Sequence, residues 1–340
     1  MSTNQGAAHN FAIGANNAQP CIFSLSGLEL TENEAALFRQ CNPFGFILFK
    51  RNCDNPAQVA ALVRSLKDCV GRDCPVLIDQ EGGRVQRLRS PHWREYQPMK
   101  SFGDSYYADA EHGLEDLRFE TLRLAEELTE LGVNVNCAPV LDLIFEGAHD
   151  IIGDRAFSSS PETVARLGLS VCRHFLRAGI TPIIKHIPGH GRAHSDSHLE
   201  LPNVTVSTDD LSASDFAPFR DISASDVGSA VWAMTAHIMY PAIDKNLPMS
   251  LSPDGVKNII RDDIGFDGIL ICDDLDMKAL DAYGGVSEKA NKSLIAGCDL
   301  ALYCAGEFAP MEELAKNLPP ISQDTLKRLN IAANFESLAA

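Results

Sequence analysis

A single (β/α)8 barrel is the fold this sequence predicts, and three observations predict it. Eight short apolar runs recur along the 340 residues. Each is rich in β-branched or aromatic residues and apolar throughout, as expected of parallel strands buried on both faces. Segments with helical starts lie between them, the β-then-α alternation of a parallel sheet. Charged residues end several of the runs abruptly, at what would be one rim of a closed TIM-type barrel. An open doubly wound sheet is the alternative that periodicity alone leaves standing.

The strands are expected at Cys21–Leu25, Gly45–Phe49, Pro75–Asp79, Val133–Pro139, Ile180–His186, Ala230–His237, Gly268–Asp273 and Asp299–Tyr303. Between the first two, Thr31 and Glu34 fit a capping box ahead of Ala35–Gln40. Asn55-Pro56, Ser160-Pro161 and Ser252-Pro253 each set a cap residue before a proline at the first helical position. Ala108–Leu131 is long, charged and helically periodic. After the eighth strand one helical region remains, from Met311 onward, so residues 1–340 are expected to form one domain with no second. Residues 1–20 are polar and rich in Asn, Ala and Gly, and are expected to be a flexible N-terminal segment. No linker, low-complexity tract or internal repeat divides the chain.

Composition narrows the function. Apolar residues make up 45% of the chain, enough for a large core. No apolar run reaches the ~18–20 residues of a membrane span, and the N-terminus lacks the basic flank and apolar stretch of a secretory signal. The formal net charge of -17 disfavours nucleic acid and anionic membranes as partners, since no basic patch offsets it. A cytoplasmic, monomeric protein with a small-molecule substrate is expected. None of the ten cysteines forms a Cys-x-x-Cys pair, and several lie within apolar runs. They read as buried, reduced thiols.

A barrel builds its active site at the C-terminal ends of its strands. There this chain places Asp79-Gln80-Glu81-Gly82-Gly83-Arg84-Val85-Gln86-Arg87 after strand three, Lys185 to His198 after strand five, His237 after strand six, and Asp273-Asp274-Leu275-Asp276-Met277 after strand seven. Burying such groups without partners is costly, so a polar, ligand-binding mouth follows. His186, His190, His194 and His198 recur every four residues, a spacing that suggests metal ligands on a helix. Pro188 and Gly189 break any such helix, and there is no His-Glu-x-x-His, so no metal and no cofactor are expected. Gly189-His190-Gly191 lacks the third glycine of a dinucleotide fingerprint. In Asp196-Ser197-His198, read as an extended loop, the carboxylate and imidazole point the same way. The pairing fixes the tautomer and favours the charged ring, suiting His198 to proton transfer. Asp273 or Asp274 could serve as its nucleophilic partner, and two groups flanking a glycosidic bond are what sugar hydrolysis requires.

These stretches resemble the signatures of glycoside hydrolase family 3, and more narrowly its β-N-acetylhexosaminidase branch, involved in bacterial cell-wall recycling. The resemblance runs from Leu25-Ser26-Gly27 through Phe49-x-Arg51-Asn52 to the eighth strand. It implies that Asp273 is the nucleophile, His198 the general acid/base and Asp196 its dyad partner. It further implies that Asp79, Arg87, Arg155, Lys185 and His186 hold the hydroxyls and acetamide of N-acetylglucosamine, with anhydromuramyl-peptide fragments as substrate. Arg155 lies in Ile152-Gly153-Asp154-Arg155-Ala156-Phe157, and arginine offers a rigid fork of donors for sugar oxygens. The choice of Asp273 over Asp274 rests on the family pattern alone. Two departures stand out: Cys272 precedes the nucleophile where serine or threonine is usual, and the loop reads Lys-His-Ile-Pro where Lys-His-Phe-Pro is usual. Without a second domain to supply the acid, a mobile loop carrying His198 is expected to supply it, with Gly189 and Gly191 letting it open and close. The expected reaction is release of terminal β-linked N-acetylglucosamine with retention. The competing readings are a β-glucosidase or phosphorolytic relative, a non-catalytic amino-sugar-binding barrel, and a metallohydrolase.

Overall fold

The structure, a computed structural model, describes residues 9–335. Eight parallel strands close into one barrel. They are β1 (Gln19–Phe23), β2 (Pro43–Leu48), β3 (Val76–Ile78), β4 (Val135–Asn136), β5 (Thr181–Ile187), β6 (Trp232–Thr235), β7 (Leu270–Asp274) and β8 (Leu300–Tyr303). Each pairs with the next, and β8 closes on β1 with Cys21 opposite Ala301 and Phe23 opposite Tyr303. Closure removes the open doubly wound alternative and leaves no strand edge in the barrel.

All eight expected runs contain strands, some shortened and others shifted by one or two residues, as β1, β2, β5 and β7 are. β4 is cut most, because Pro139 has no N–H to give the ladder. Side chains replace the missing rungs. Asn136 accepts from the Gln80 amide at 3.1 Å and donates to the Gln80 carbonyl at 3.0 Å, while Asn134 accepts from the Val76 amide at 2.7 Å. Two asparagines inside an apolar run thus satisfy the β3–β4 seam.

The caps follow the sequence closely. Thr31 and Glu34 close a capping box on Glu32–Cys41. Asn55 caps Pro56–Val70, and Ser160 caps Pro161–Arg177. Ser252 Oγ accepts from the Gly255 amide at 2.9 Å, ahead of the wide-turned helix Gly255–Asp263. The long periodic segment starts later than expected, at Ala110, because Asp109 accepts from the amides of Glu111 and His112 and so separates Met99–Ala108 from Ala110–Glu130.

Residues 1–8 of the segment expected to be flexible lie outside the described residues. The remainder is packed. Phe11, Ala15 and Ala18 are buried, and the Phe11 ring meets Trp232 edge-on, 5.6 Å between centroids, with Phe44 on the same indole. These aromatic rings fill the base of the barrel, opposite the mouth. Among the described residues no helix is long and apolar enough to cross a membrane, and all ten cysteines are free thiols.

Candidate active site

The polar residues that end the strands converge on one pocket of about 320 Å³ at the barrel mouth. Of the eight residues expected to form a site, Asp79, Arg87, Arg155, Lys185, His186, His198 and Asp273 line it; Asp196 stands just behind.

The floor on one side is an ion-pair chain. After β3 the chain makes a small antiparallel pair, Gln80–Gly82 with Val85–Gln86. Gly82 and Gly83 turn it with φ of 101° and 56°, and a Cβ on Gly82 would stand 2.2 Å from the Gln97 carbonyl, so only glycine fits. This hairpin returns Arg87 over its own strand end, where Arg87 Nη2 donates to Asp79 at 2.8 Å. Lys185, at the end of β5, donates to Asp79 at 2.8 Å and approaches Glu81 at 2.6 Å. Arg155 then grips Glu81 with two bonds of 2.9 Å. Burial works to raise both carboxyls, but Lys185, Arg87 and Arg155 overcome it and hold Asp79 and Glu81 below the usual carboxylate range. Asp79 and Glu81 are therefore anions set against three cations, all five lining the pocket.

The opposite side is built from histidines. The helix-face arrangement that their four-residue spacing suggests does not form: the chain beyond Ile187 is turns and loop. Asp142, fully buried after β4, accepts from His186 Nδ1 at 2.7 Å and from the amides of His186 and His190. One carboxylate thus orients the His186 ring and pins the start of the long loop. Burial and the adjacent His186 ring pull the His190 imidazole down to about 4. His237 is buried on β6's far end, between Ser250 Oγ at 2.6 Å and the Asp274 carbonyl at 3.0 Å. Among the described residues no group of three His, Cys, Asp or Glu side chains is arranged to hold a metal ion.

Asp273, the last residue but one of β7, lines the pocket. One carboxylate oxygen accepts from the Asp274 amide at 2.8 Å. Burial raises this carboxyl, but the imidazoles of His237 and His186, that amide and His198 outweigh it and keep it below its ordinary value. Asp274 differs sharply. Burial, with the charges of Asp273 and Asp276, pushes it up to about 6 against the amides of Asp276 and Cys304. Both carboxyls line the pocket, and their environments shift them in opposite directions, with Asp274 also accepting from the amides of Asp276 and Cys304.

Asp196 Oδ1 accepts from both the amide and Nδ1 of His198 at 2.8 Å. The segment is a tight turn, with the Leu199 and Glu200 amides on the Asp196 carbonyl, in place of the extended loop expected. An aspartate bonding its own backbone two residues on makes such a turn, and the dyad survives the change. His198 remains 62% exposed, above the pocket.

The glycines of this loop play a different part from the hinge expected of them. A Cβ on Gly189 would stand 2.9 Å from Asp215 Cβ, and one on Gly191 2.1 Å from the Leu143 carbonyl. Arg192 is tied to Asp215 at 2.7 Å and lies 4.0 Å over the Phe145 ring, and Tyr240 donates to the Gly189 carbonyl. The base of the loop is packed down, and its glycines serve close approach. The two departures, Cys272 and Ile187, are buried in the barrel wall away from the pocket.

Glu81, Asp142, His190 and Ser197 also stand at the site; the first, third and fourth lie in the stretches quoted from the sequence but were given no role in holding the sugar or moving the proton, and Asp142 was not noticed. Glu81 sits in the motif after strand three, two residues from Asp79, where alternation would put both on one face. Asp142 follows strand four in an apolar stretch, Val-Leu-Asp-Leu-Ile, where a lone carboxylate needs a buried partner.

Comparison with known proteins gives an independent measure. The model of the glycosyl hydrolase family 3 N-terminal domain matches residues 23–331. A β-hexosaminidase of Thiobacillus denitrificans is 36% identical over 297 residues, covering 87% of this chain and 81% of that one. The fold is similar to that of NagZ from Neisseria gonorrhoeae in complex with N-trifluoroacetyl-D-glucosamine, with a TM-score of 0.85 and 34% identity over 94% of this chain and 91% of that one. It is also similar to a family 3 β-N-acetylglucosaminidase from a Paenibacillus, with a TM-score of 0.83 and 30% identity over 95% of this chain and 61% of the other.

Proposed function

This chain belongs to glycosyl hydrolase family 3 and is a glycoside hydrolase; from that premise we propose that it is a retaining exo-β-N-acetylglucosaminidase acting on fragments of peptidoglycan. The observation that carries the reading is the pairing of an ionised carboxylate, Asp273, in the pocket with an Asp196–His198 dyad at its mouth.

The chemistry runs as follows. Asp79, Arg87, Arg155, Lys185 and His186 hold the sugar hydroxyls and the acetamide through the donors and acceptors that their mutual ion pairs leave free. Protonated His198 gives its proton to the glycosidic oxygen as Asp273 attacks the anomeric carbon. The C1–O bond breaks, the aglycone leaves as the alcohol, and a glycosyl ester on Asp273 forms. Neutral His198 then takes a proton from water, whose oxygen attacks the anomeric carbon and frees Asp273, so the configuration is retained. Asp196 stabilises the ring when it is charged and fixes which nitrogen faces the substrate. The β-hexosaminidase relatives and the N-acylated sugar in the Neisseria complex support the choice of sugar. Free thiols throughout fit a reducing compartment such as the cytoplasm.

Release of nitrophenol from nitrophenyl N-acetyl-β-glucosaminide, against the matching β-glucoside, tests the proposal. Strong preference for the N-acetyl substrate, abolished in Asp273→Ala, is expected. Equal turnover of both sugars, or activity surviving in folded Asp273→Ala, overturns it.

A further inference from the structure

We infer that His190 is a positioning residue: by holding Ser197 against the barrel, it sets where the adjacent His198 stands over the pocket. The inference rests on the acid/base role proposed for His198.

His198 has little packing of its own. Its side chain is exposed, and its bonds run to Asp196 within the same turn. Its place over Asp273 must therefore be set by whatever fastens that turn to the barrel. Ser197 is what does so. It is 2% exposed between a half-buried Asp196 and an exposed His198. Its Oγ lies 3.1 Å from His190 Nε2, and its carbonyl accepts from the Ala279 amide at 3.3 Å. Ser197 is thus the inward pin of the turn, held on one side by β5's extension and on the other by the chain after β7.

His190 is fit to hold it. Its amide is on Asp142, the carboxylate that also orients His186, and its ring stands edge-on to His186, 5.5 Å between centroids. The ring is buried, and its Nδ1 has no partner among the described residues. A buried N–H without an acceptor is rarer and costlier than a bare lone pair, so we assign the proton to Nε2, donating to Ser197 Oγ. With its pKa lowered to about 4 by burial and by His186, the ring stays neutral near pH 7 and the bond does not switch. The path Asp142–His190–Ser197 thereby ties the group that binds sugar and the group that moves the proton to one buried carboxylate.

The test uses aryl N-acetyl-β-glucosaminides with a poor leaving group, phenol, and a good one, dinitrophenol, which departs without a proton. In Ser197→Ala, kcat/KM on the phenyl substrate is expected to fall on the order of 100-fold, the loss that a misplacement of about 1 Å can bring. On the dinitrophenyl substrate kcat/KM should stay nearly unchanged, and added azide should accelerate turnover. Azide attacks the anomeric carbon of the glycosyl-enzyme, forms the C–N bond and releases the Asp273 carboxylate with no base needed. Inhibition by free N-acetylglucosamine and the melting temperature should hold, and Ser197→Thr should recover the phenyl substrate. His190→Gln, which keeps a donor, should retain more phenyl-substrate activity than His190→Ala. Equal losses on both aryl substrates, or no loss on either, overturn the inference. His198→Ala is the reference: if it lacks the leaving-group dependence and the azide response, the acid/base reading itself falls. If His198→Ala shows them and Ser197→Ala does not, only the positioning role falls.

Discussion

Replacing Glu81 by glutamine removes one charge and almost no volume from the centre of the site, so its consequences can be worked from the contacts. The side chain is 1% exposed. Its two oxygens accept both bonds from Arg155, and one also meets Lys185 at 2.6 Å. In Glu81→Gln one oxygen becomes an NH2, which must face an Arg155 or Lys185 donor whichever way the amide turns. Asp79 is then left as the one carboxylate in contact with Arg87 and Lys185, and Arg155 loses its bidentate partner. Breaking a buried pair by removing one partner costs about 3–5 kcal/mol. For a domain of this size that lowers Tm by roughly 4–7 °C. Arg155 and Lys185 also lose contacts that hold them at the pocket. At ~1.5–3 kcal/mol for a bond to a charged group, KM for the N-acetyl substrate should rise at least tenfold, with a smaller change in kcat. The pH dependence has a definite sign. The folded-state pKa of Glu81 lies below its ordinary value, so its contribution is fully present above the unfolded pKa of ~4.3 and disappears as pH falls below it. The Tm difference between parent and variant is therefore full at neutral pH and narrows in acid. Scanning calorimetry across pH, with steady-state kinetics, reads all three. A Tm shift smaller than about 2 °C, or a difference that grows in acid, refutes the reasoning.

Three further outcomes follow from the same contacts. Asp196→Asn keeps an acceptor for the His198 amide but removes the charge beside the ring. The kcat should fall by roughly 10²-fold or more, within the range of general acid–base effects, as steady-state kinetics would show. A near-normal rate would remove the dyad. Asp274→Asn preserves an oxygen for the amides of Asp276 and Cys304. Because the Asp274 carboxyl is raised to about 6, its preference for the protonated form is lost as pH rises through that value. The variant should gain stability over the parent at pH 7–8 and lose that gain below ~4; a destabilised variant at pH 8 would contradict this. Gly191→Ala drives a methyl into the Leu143 carbonyl, so the loop base must lift. Activity on unactivated substrates should drop while binding of N-acetylglucosamine changes less, which parallel kinetic and inhibition assays would detect.

Much of the molecule was legible in the sequence because the interactions that write it are local. Period and apolarity mark the eight strands, since a strand buried on both faces admits few polar residues. Cap residues such as Thr31, Asn55 and Ser160 act within one helical turn. Charged residues at the ends of β3, β5 and β7 announce the mouth, because a barrel places all such ends on one rim. The resemblance then assigned eight residues, and seven of them line one pocket.

What only the tertiary structure decided depends on groups far apart in sequence. No spacing could tell that Asp142 would orient His186, 44 residues away, or that Glu81 would bind Arg155 across 74. Asp273 and Asp274 are neighbours shifted in opposite directions, since imidazoles offset the burial of Asp273 while burial prevails at Asp274. The glycines of the His198 loop looked like hinges and proved to be points of close packing, because the atoms they avoid belong to Asp215 and Leu143. Local propensity and pattern are carried by neighbours along the chain and so are written in the sequence. Desolvation, charge balance and close approach are carried by neighbours in space, and only folding chooses those.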